Sequence, residues 1–137
     1  MLSSKAFTIS SFCEYSYHME LEDFIKRIDA FALERDWAQF HSVRNLVLAM
    51  VGEAGELAEV FQWVSDDQVE AFLAKPENHA RLQEELADVL MYALRLASVS
   101  GVDVMGALEA KLASNAEKYP VDKSKGNSIK YTELSTD

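Results

Sequence analysis

The sequence predicts an all-α protein, a helical bundle, on three observations. Apolar residues recur at i, i+3, i+4 and i+7 through long segments, which is the period of helices buried along one face. Only 2 prolines and 5 glycines occur in 137 residues, so little interrupts those segments. Four long periodic stretches are joined by short polar breaks, as in a bundle. The length suits one domain able to bury its own core, and no internal repeat is visible.

The first helix is expected from Glu20 to about Trp37, where Leu21, Phe24, Ile25, Ile28, Phe31 and Ala32 share a face. A short connection follows over Ala38–Ser42, with Trp37, Phe40 and His41 clustered at it. The second helix should run from Val43 to Val64 on a stripe of Val43, Leu46, Val47, Met50, Ala54, Leu57, Phe61 and Val64. Ser65-Asp66-Asp67 breaks it and caps a short helical piece through Ala74. Lys75-Pro76-Glu77-Asn78 reads as a turn. A third long helix, about Ala80–Ser100, should bury Leu82, Leu86, Val89, Leu90, Ala93, Leu94 and Ala97 and end at Gly101. Asp103 is placed to cap a last helix through Lys118, stopped by Tyr119-Pro120. The expected organisation is an N-terminal extension at 1–18, a helical domain at 19–120 and a polar tail at 121–137.

Composition narrows the function classes. A formal net charge of −10 argues against a nucleic-acid surface, which needs a basic stripe, and against an anionic membrane. The single cysteine, Cys13, provides no disulfide framework and fits a reducing compartment. Residues 1–18 carry one lysine and no continuous apolar run, a poor signal peptide, and Met19 is a second possible start. No segment reaches the roughly 18 apolar residues of a membrane span. The expected location is the cytoplasm.

The chemistry lies in carboxylates. Glu53 and Glu56 sit i and i+3 on the border of the second helix's apolar stripe. Glu85 and Asp88 repeat the device on the third long helix, with Tyr92 one turn on. One such pair is an ordinary solvated helix edge. Two pairs on consecutive helices, each beside a buried stripe, predict a four-carboxylate cluster once the helices pack antiparallel. Such a cluster repels itself unless a cation neutralises it. Oxygen-only ligands select a hard ion, Mg²⁺ first and Mn²⁺ as a substitute. Di-iron bundles want Glu-x-x-His, and none of the three histidines stands three residues after a glutamate.

Around this cluster, Lys111, Asn115 and Lys118 recur at i, i+4 and i+7 on the last helix, a line of donors suited to phosphate oxygens. Trp63 is expected to extend the Glu53–Glu56 edge by roughly 10 Å, about the span from phosphates to base in a nucleotide. Trp37 precedes His41 and Asn45, both able to read a base edge. Each of these residues has an ordinary structural explanation as well: core or interface for the tryptophans, solvated edge for the lysines.

At these residues the sequence resembles the all-α nucleoside-triphosphate pyrophosphatases of the MazG-like group, especially its dCTP pyrophosphatases. The resemblance runs from about Glu20 to Leu134. It rests on ERDWxQFH at Glu34–His41, RNL at Arg44–Leu46, VGEAGELAEVFQW at Val51–Trp63 and LQEELADVLMY at Leu82–Tyr92. The pattern of Lys111, Asn115 and Tyr119-Pro120, with KYTEL at Lys130–Leu134, completes it. It implies a four-helix core completed by dimerisation, often as a dimer of dimers. It also implies Mg²⁺-dependent hydrolysis of a nucleoside triphosphate to the monophosphate and pyrophosphate, which cleans the nucleotide pool. Carried over by position, Glu53, Glu56, Glu85 and Asp88 hold metal. Trp37, His41, Asn45, Trp63 and Tyr92 line the base and sugar pocket, and Lys111, Asn115 and Lys118 hold phosphates. Two departures bear on substrate choice. Ile28 stands where animal dCTP enzymes carry histidine, and Ala116 and Glu117 replace part of a basic run before Tyr119.

The leading expectation is therefore a dCTP pyrophosphohydrolase whose metal site lowers the pKa of an attacking water while a carboxylate takes its proton. The alternatives are an enzyme of the same type for another nucleotide (dATP, dUTP, a damaged dNTP or a phosphoribosyl nucleotide) and a non-catalytic helical oligomerisation module. A homo-oligomer is expected because Leu48, Val51, Leu90 and Leu94 widen the apolar sectors of the central helices beyond one neighbour each.

Overall fold

The computed structural model describes residues 20–134. The expected extension at 1–18, with Cys13, lies outside the described residues. Among the described residues the chain is helical with no strand: α1 (Leu21–Glu34), α2 (Val43–Glu59), α3 (Val69–Leu73), α4 (Pro76–Ser100), α5 (Val104–Lys118) and α6 (Val121–Ser124). Three 3-10 turns stand at Trp37–Gln39, Asp66–Gln68 and Tyr131–Glu133. The all-α expectation holds.

The central element is the α2–α4 pair, with α1 and α3 packed against α4. Two residues anchor its core: Leu46 of α2, only 1% exposed, and Ala97 of α4. Ile28 and Ala32 bring α1 into the same core, and Val60 closes its other end. The buried face of α2 runs through Leu46, Ala49, Met50, Glu53, Leu57 and Val60, steps of three and four. It is thus rotated from the predicted stripe: Ala54 is exposed and Val60 buried. The rotation carries Glu53 onto the face that meets α4.

Helix ends follow local chemistry, and three differ from expectation. First, α1 stops at Glu34, because Asp36 takes a left-handed conformation (φ 54°) and accepts from Gln39 Nε2 at 2.8 Å. That reversal turns Trp37 back over α1. Second, α2 begins as predicted at Val43, where Ser42 Oγ accepts from the Asn45 amide at 3.2 Å, but it ends at Glu59 rather than Val64. The run Val60-Phe61-Gln62-Trp63-Val64 is β-branched and aromatic, poor in helix propensity. Its backbone tightens to i→i+3 bonds, Phe61 to Ala58 at 3.2 Å and Val64 to Phe61 at 2.9 Å, while Phe61 packs on Phe72. Third, the predicted turn at Lys75–Asn78 is the start of α4, since Pro76 occupies the first helical turn where its missing N–H has no bond to lose.

Two ends are as predicted. Gly101 (φ 70°) closes α4, and Asp103 Oδ1 accepts from the Gly106 amide at 3.1 Å to start α5. α5 leaves α4 at 106° and makes no extended packing contact with the other described helices. Its Met105, Leu108 and Leu112 are exposed, Leu112 by 72%. Leu48 and Val51 are exposed too, as the breadth of the apolar sectors requires, while Leu86 and Leu90, expected in the core, are exposed as well and Leu94 is half-buried. Within the tail, Tyr131 packs edge-on to Tyr119 at 5.9 Å, and Lys118 lies over its ring. Among the described residues no single helix is long and apolar enough to cross a membrane.

Candidate active site

Packing of α2 on α4 brings together one carboxylate oxygen from each of Glu53, Glu56 and Glu85, all within 4.8 Å of one another. Burial and the negative charges of Glu56, Asp88 and Glu85 push the Glu53 carboxyl above its ordinary pKa. Glu85 is raised likewise, by burial first and then by Glu56, Glu84 and Asp88, against a smaller opposing effect of Arg81. Asp88 therefore acts on the cluster electrostatically, and its side chain also reaches the neighbouring cavity. Three carboxylates this close, opposed among the described residues only by the smaller effect of Arg81, fit a hard divalent ion.

The cavity, about 240 Å³, opens between α1, α4 and the Trp37 turn. Ile28, Phe31, Trp37, His41, Asp88, Met91, Tyr92 and Arg95 contribute to its lining. It is mostly apolar, with polar groups at one side, as a site for a flat ring should be. One wall is a chain of ring contacts. The Arg35 guanidinium stacks 3.6 Å above Phe31, Phe31 meets Trp37 edge-on at 5.7 Å, and Trp37 meets His41 at 6.2 Å. The opposite support is polar. Arg95 Nη1 donates to Asp29 Oδ1 at 2.6 Å, Ser98 Oγ donates to Asp29 Oδ2 at 2.6 Å, and Arg95 Nε donates to His41 Nδ1 at 3.2 Å.

The predicted residues thus divide. Glu53, Glu56, Glu85, Asp88, Trp37, His41 and Tyr92 converge on one continuous region. Asn45 stands outside the cavity lining, its side chain donating to the Phe40 carbonyl at 3.0 Å. Trp63 does not extend the carboxylate edge, because α2 ends before it. It is 88% exposed beside Val64, Gln68, Ala71, Phe72 and Lys75, a separate depression. Lys111, Asn115 and Lys118 are carried away on α5. Asp29, Arg95 and Ser98 were not among the predicted site residues. Their signal was present: an acid on the apolar face of α1 and an arginine on that of α4, charges that need each other once buried.

A model of the MazG-like family matches residues 49–134. The chain belongs to the MazG-like family. It is 50% identical over 121 residues to dCTP pyrophosphatase 1 of Rattus norvegicus, covering 88% of this chain and 71% of the relative. Against dCTP pyrophosphatase 1 of Homo sapiens the identity is 49% over the same shares. Among solved structures, a pyrophosphatase from Archaeoglobus fulgidus superposes with a TM-score of 0.69 at 31% identity, over 78% of this chain and 98% of that one. The family match begins inside α2 and takes in both carboxylate pairs, α5 and residues 121–134.

Proposed function

We propose that this MazG-like chain is a dCTP pyrophosphohydrolase, which splits dCTP with water into dCMP and pyrophosphate and so clears the nucleotide pool. The observation that carries the reading is the carboxylate cluster beside a ring-sized cavity, with Asp88 common to both. Half of the residues aligned with dCTP pyrophosphatase 1 are identical, which supports the choice of nucleotide.

Glu53, Glu56, Glu85 and Asp88 hold the metal, Mg²⁺ with Mn²⁺ as a substitute. When bound, the ion supplies charge compensation for the phosphates and Lewis acidity toward water. The chain's own groups do the rest. Trp37 and His41 receive the base, Tyr92 borders the sugar, and a free carboxylate oxygen of the cluster, that of Glu56 by its exposure, takes the water's proton.

A homo-oligomer, dimer or dimer of dimers, supplies what one chain leaves apart. The unpacked α5 with Lys111, Asn115 and Lys118, and the bare Trp63, complete phosphate and base contacts across protomers, while Asn45 shapes the loop that carries His41. The absence of a spanning helix among the described residues suits a cytoplasmic enzyme. Incubating the protein with each dNTP and Mg²⁺ and identifying products tests the reading. Pyrophosphate with dCMP as the leading product is expected. Orthophosphate with a diphosphate, or dCTP no better than the average dNTP, would overturn it.

A further inference from the structure

We propose that Arg95 is a positioning residue: it fixes His41 as the neutral Nε2–H tautomer, so that the cavity selects a base with an unprotonated ring nitrogen. The ligand class is a nucleobase with a hydrogen-bond acceptor at N3, which cytosine has. Uracil and thymine carry a proton there.

The argument begins with what arginine is. Its guanidinium only donates and does not lose its proton. Arg95 Nε lies 3.2 Å from His41 Nδ1, so Nδ1 must be the accepting nitrogen and the ring proton resides on Nε2. Protonating the ring would set a donor against a donor and a cation beside a cation. Accordingly, burial and Arg95 lower the His41 pKa.

Arg95 cannot turn away from this task. Its Nη1 is held by Asp29 at 2.6 Å, Asp29 is held in turn by Ser98 at 2.6 Å, and the Arg95 side chain is only 12% exposed. The clamp spans α1 and α4 and sets the guanidinium plane, from which Nε has one direction to donate. On its other side the imidazole meets Trp37 edge-on, so both position and tautomer are fixed before any ligand enters. A wall group that can only donate favours an acceptor and leaves a facing N–H unpaired, which discriminates against the base that carries the proton.

The ligand half of this inference rests on the proposed nucleotide reading; the tautomer half does not. The test therefore has two independent readouts on the full chain. Long-range ¹H–¹⁵N spectra of the ligand-free protein at neutral pH should show His41 as the Nε2–H tautomer, assigned by its loss in His41→Gln. In Arg95→Met the ring should become a mixture of tautomers. Arg95→Lys, which leaves a cation for Asp29 but removes the Nε fork, should keep the parent's thermal stability and show the same mixture. In kinetics, both variants should raise KM for dCTP with kcat little changed. The preference for dCTP over dUTP should fall about tenfold, the worth of one neutral hydrogen bond. A parent ring found as Nδ1–H or as imidazolium overturns the clamp whatever the substrate. A correct parent tautomer with an undiminished dCTP/dUTP ratio in both variants overturns the selection role and leaves pyrophosphohydrolysis standing.

Discussion

The α2–α4 face and helix α5 carry the same kind of signal in the sequence, polar groups at i, i+3, i+4 spacing, yet they end differently. The first is assembled within one chain: antiparallel packing sets three carboxylates within 4.8 Å of each other. The second is a finished helix, capped at Asp103 and ended at Tyr119, whose Met105, Leu108 and Leu112 are exposed among the described residues. The difference teaches that side-chain spacing reports a face, while only a packing partner turns a face into a site. α2 finds that partner in α4, whereas among the described residues α5 finds no comparable one, which is what the proposed oligomer would supply.

The sharpest way to break the comparison is at the assembled face. Glu53→Gln, Glu56→Gln, Glu85→Gln and Asp88→Asn should each lower turnover on the order of a hundredfold or more, since the charge stabilisation a divalent ion supplies amounts to several kcal/mol. Circular dichroism should show unchanged helix content, and four variants of near-normal turnover would dissolve the metal assignment.

A smaller effect is expected from the other side. Leu108→Asp with Leu112→Asp should shift the protein toward monomer in light scattering and lower activity through KM, because α5 loses its apolar mate. Divalent-ion binding, measured by calorimetry, should persist, as the cluster belongs to one chain. Unchanged assembly would show that α5 is not the joining surface.

The smallest effect concerns stability. Glu53 has a raised folded-state pKa, so its ionised form costs the folded protein. That cost is absent below the ordinary carboxylate range and present above the raised value. Metal-free Glu53→Gln should therefore melt higher than the parent at neutral pH. The gap should close as pH falls toward 4, and added Mg²⁺ should reverse it by stabilising the parent more. A gap independent of pH would assign the gain to packing instead.

Much of this was legible before any coordinates. The four long helices, the start of α2 at Val43, the cap at Asp103 and the stop at Gly101 follow from local chemistry, and they hold. The carboxylate pairs were legible because burial of one helix face fixes what lies at its border. Trp63 was misplaced because periodicity continues through Val64 while the backbone does not. There the backbone bonds close at i→i+3, tighter than an α-helix, while Phe61 packs on Phe72. The pairing of Asp29 with Arg95 was not legible because 66 residues separate them, and no local period links an acid on one helix to a base on another. Asn45 looked like a base reader by its neighbours, but the same turn offers it an unpaired carbonyl at Phe40.

The two indoles give the molecule a built-in pair of optical gauges. Trp37 is 44% exposed, leaning on Phe31 and His41 at the cavity wall, while Trp63 stands almost wholly in solvent on a surface remote from it. The chain has no other tryptophan. Emission from a single-tryptophan variant keeping Trp37 is therefore a measure of ligand entry. Its counterpart keeping Trp63, read without nucleotide, measures whether that bare surface has been covered, so assembly can be followed before any ligand enters and without any attached dye.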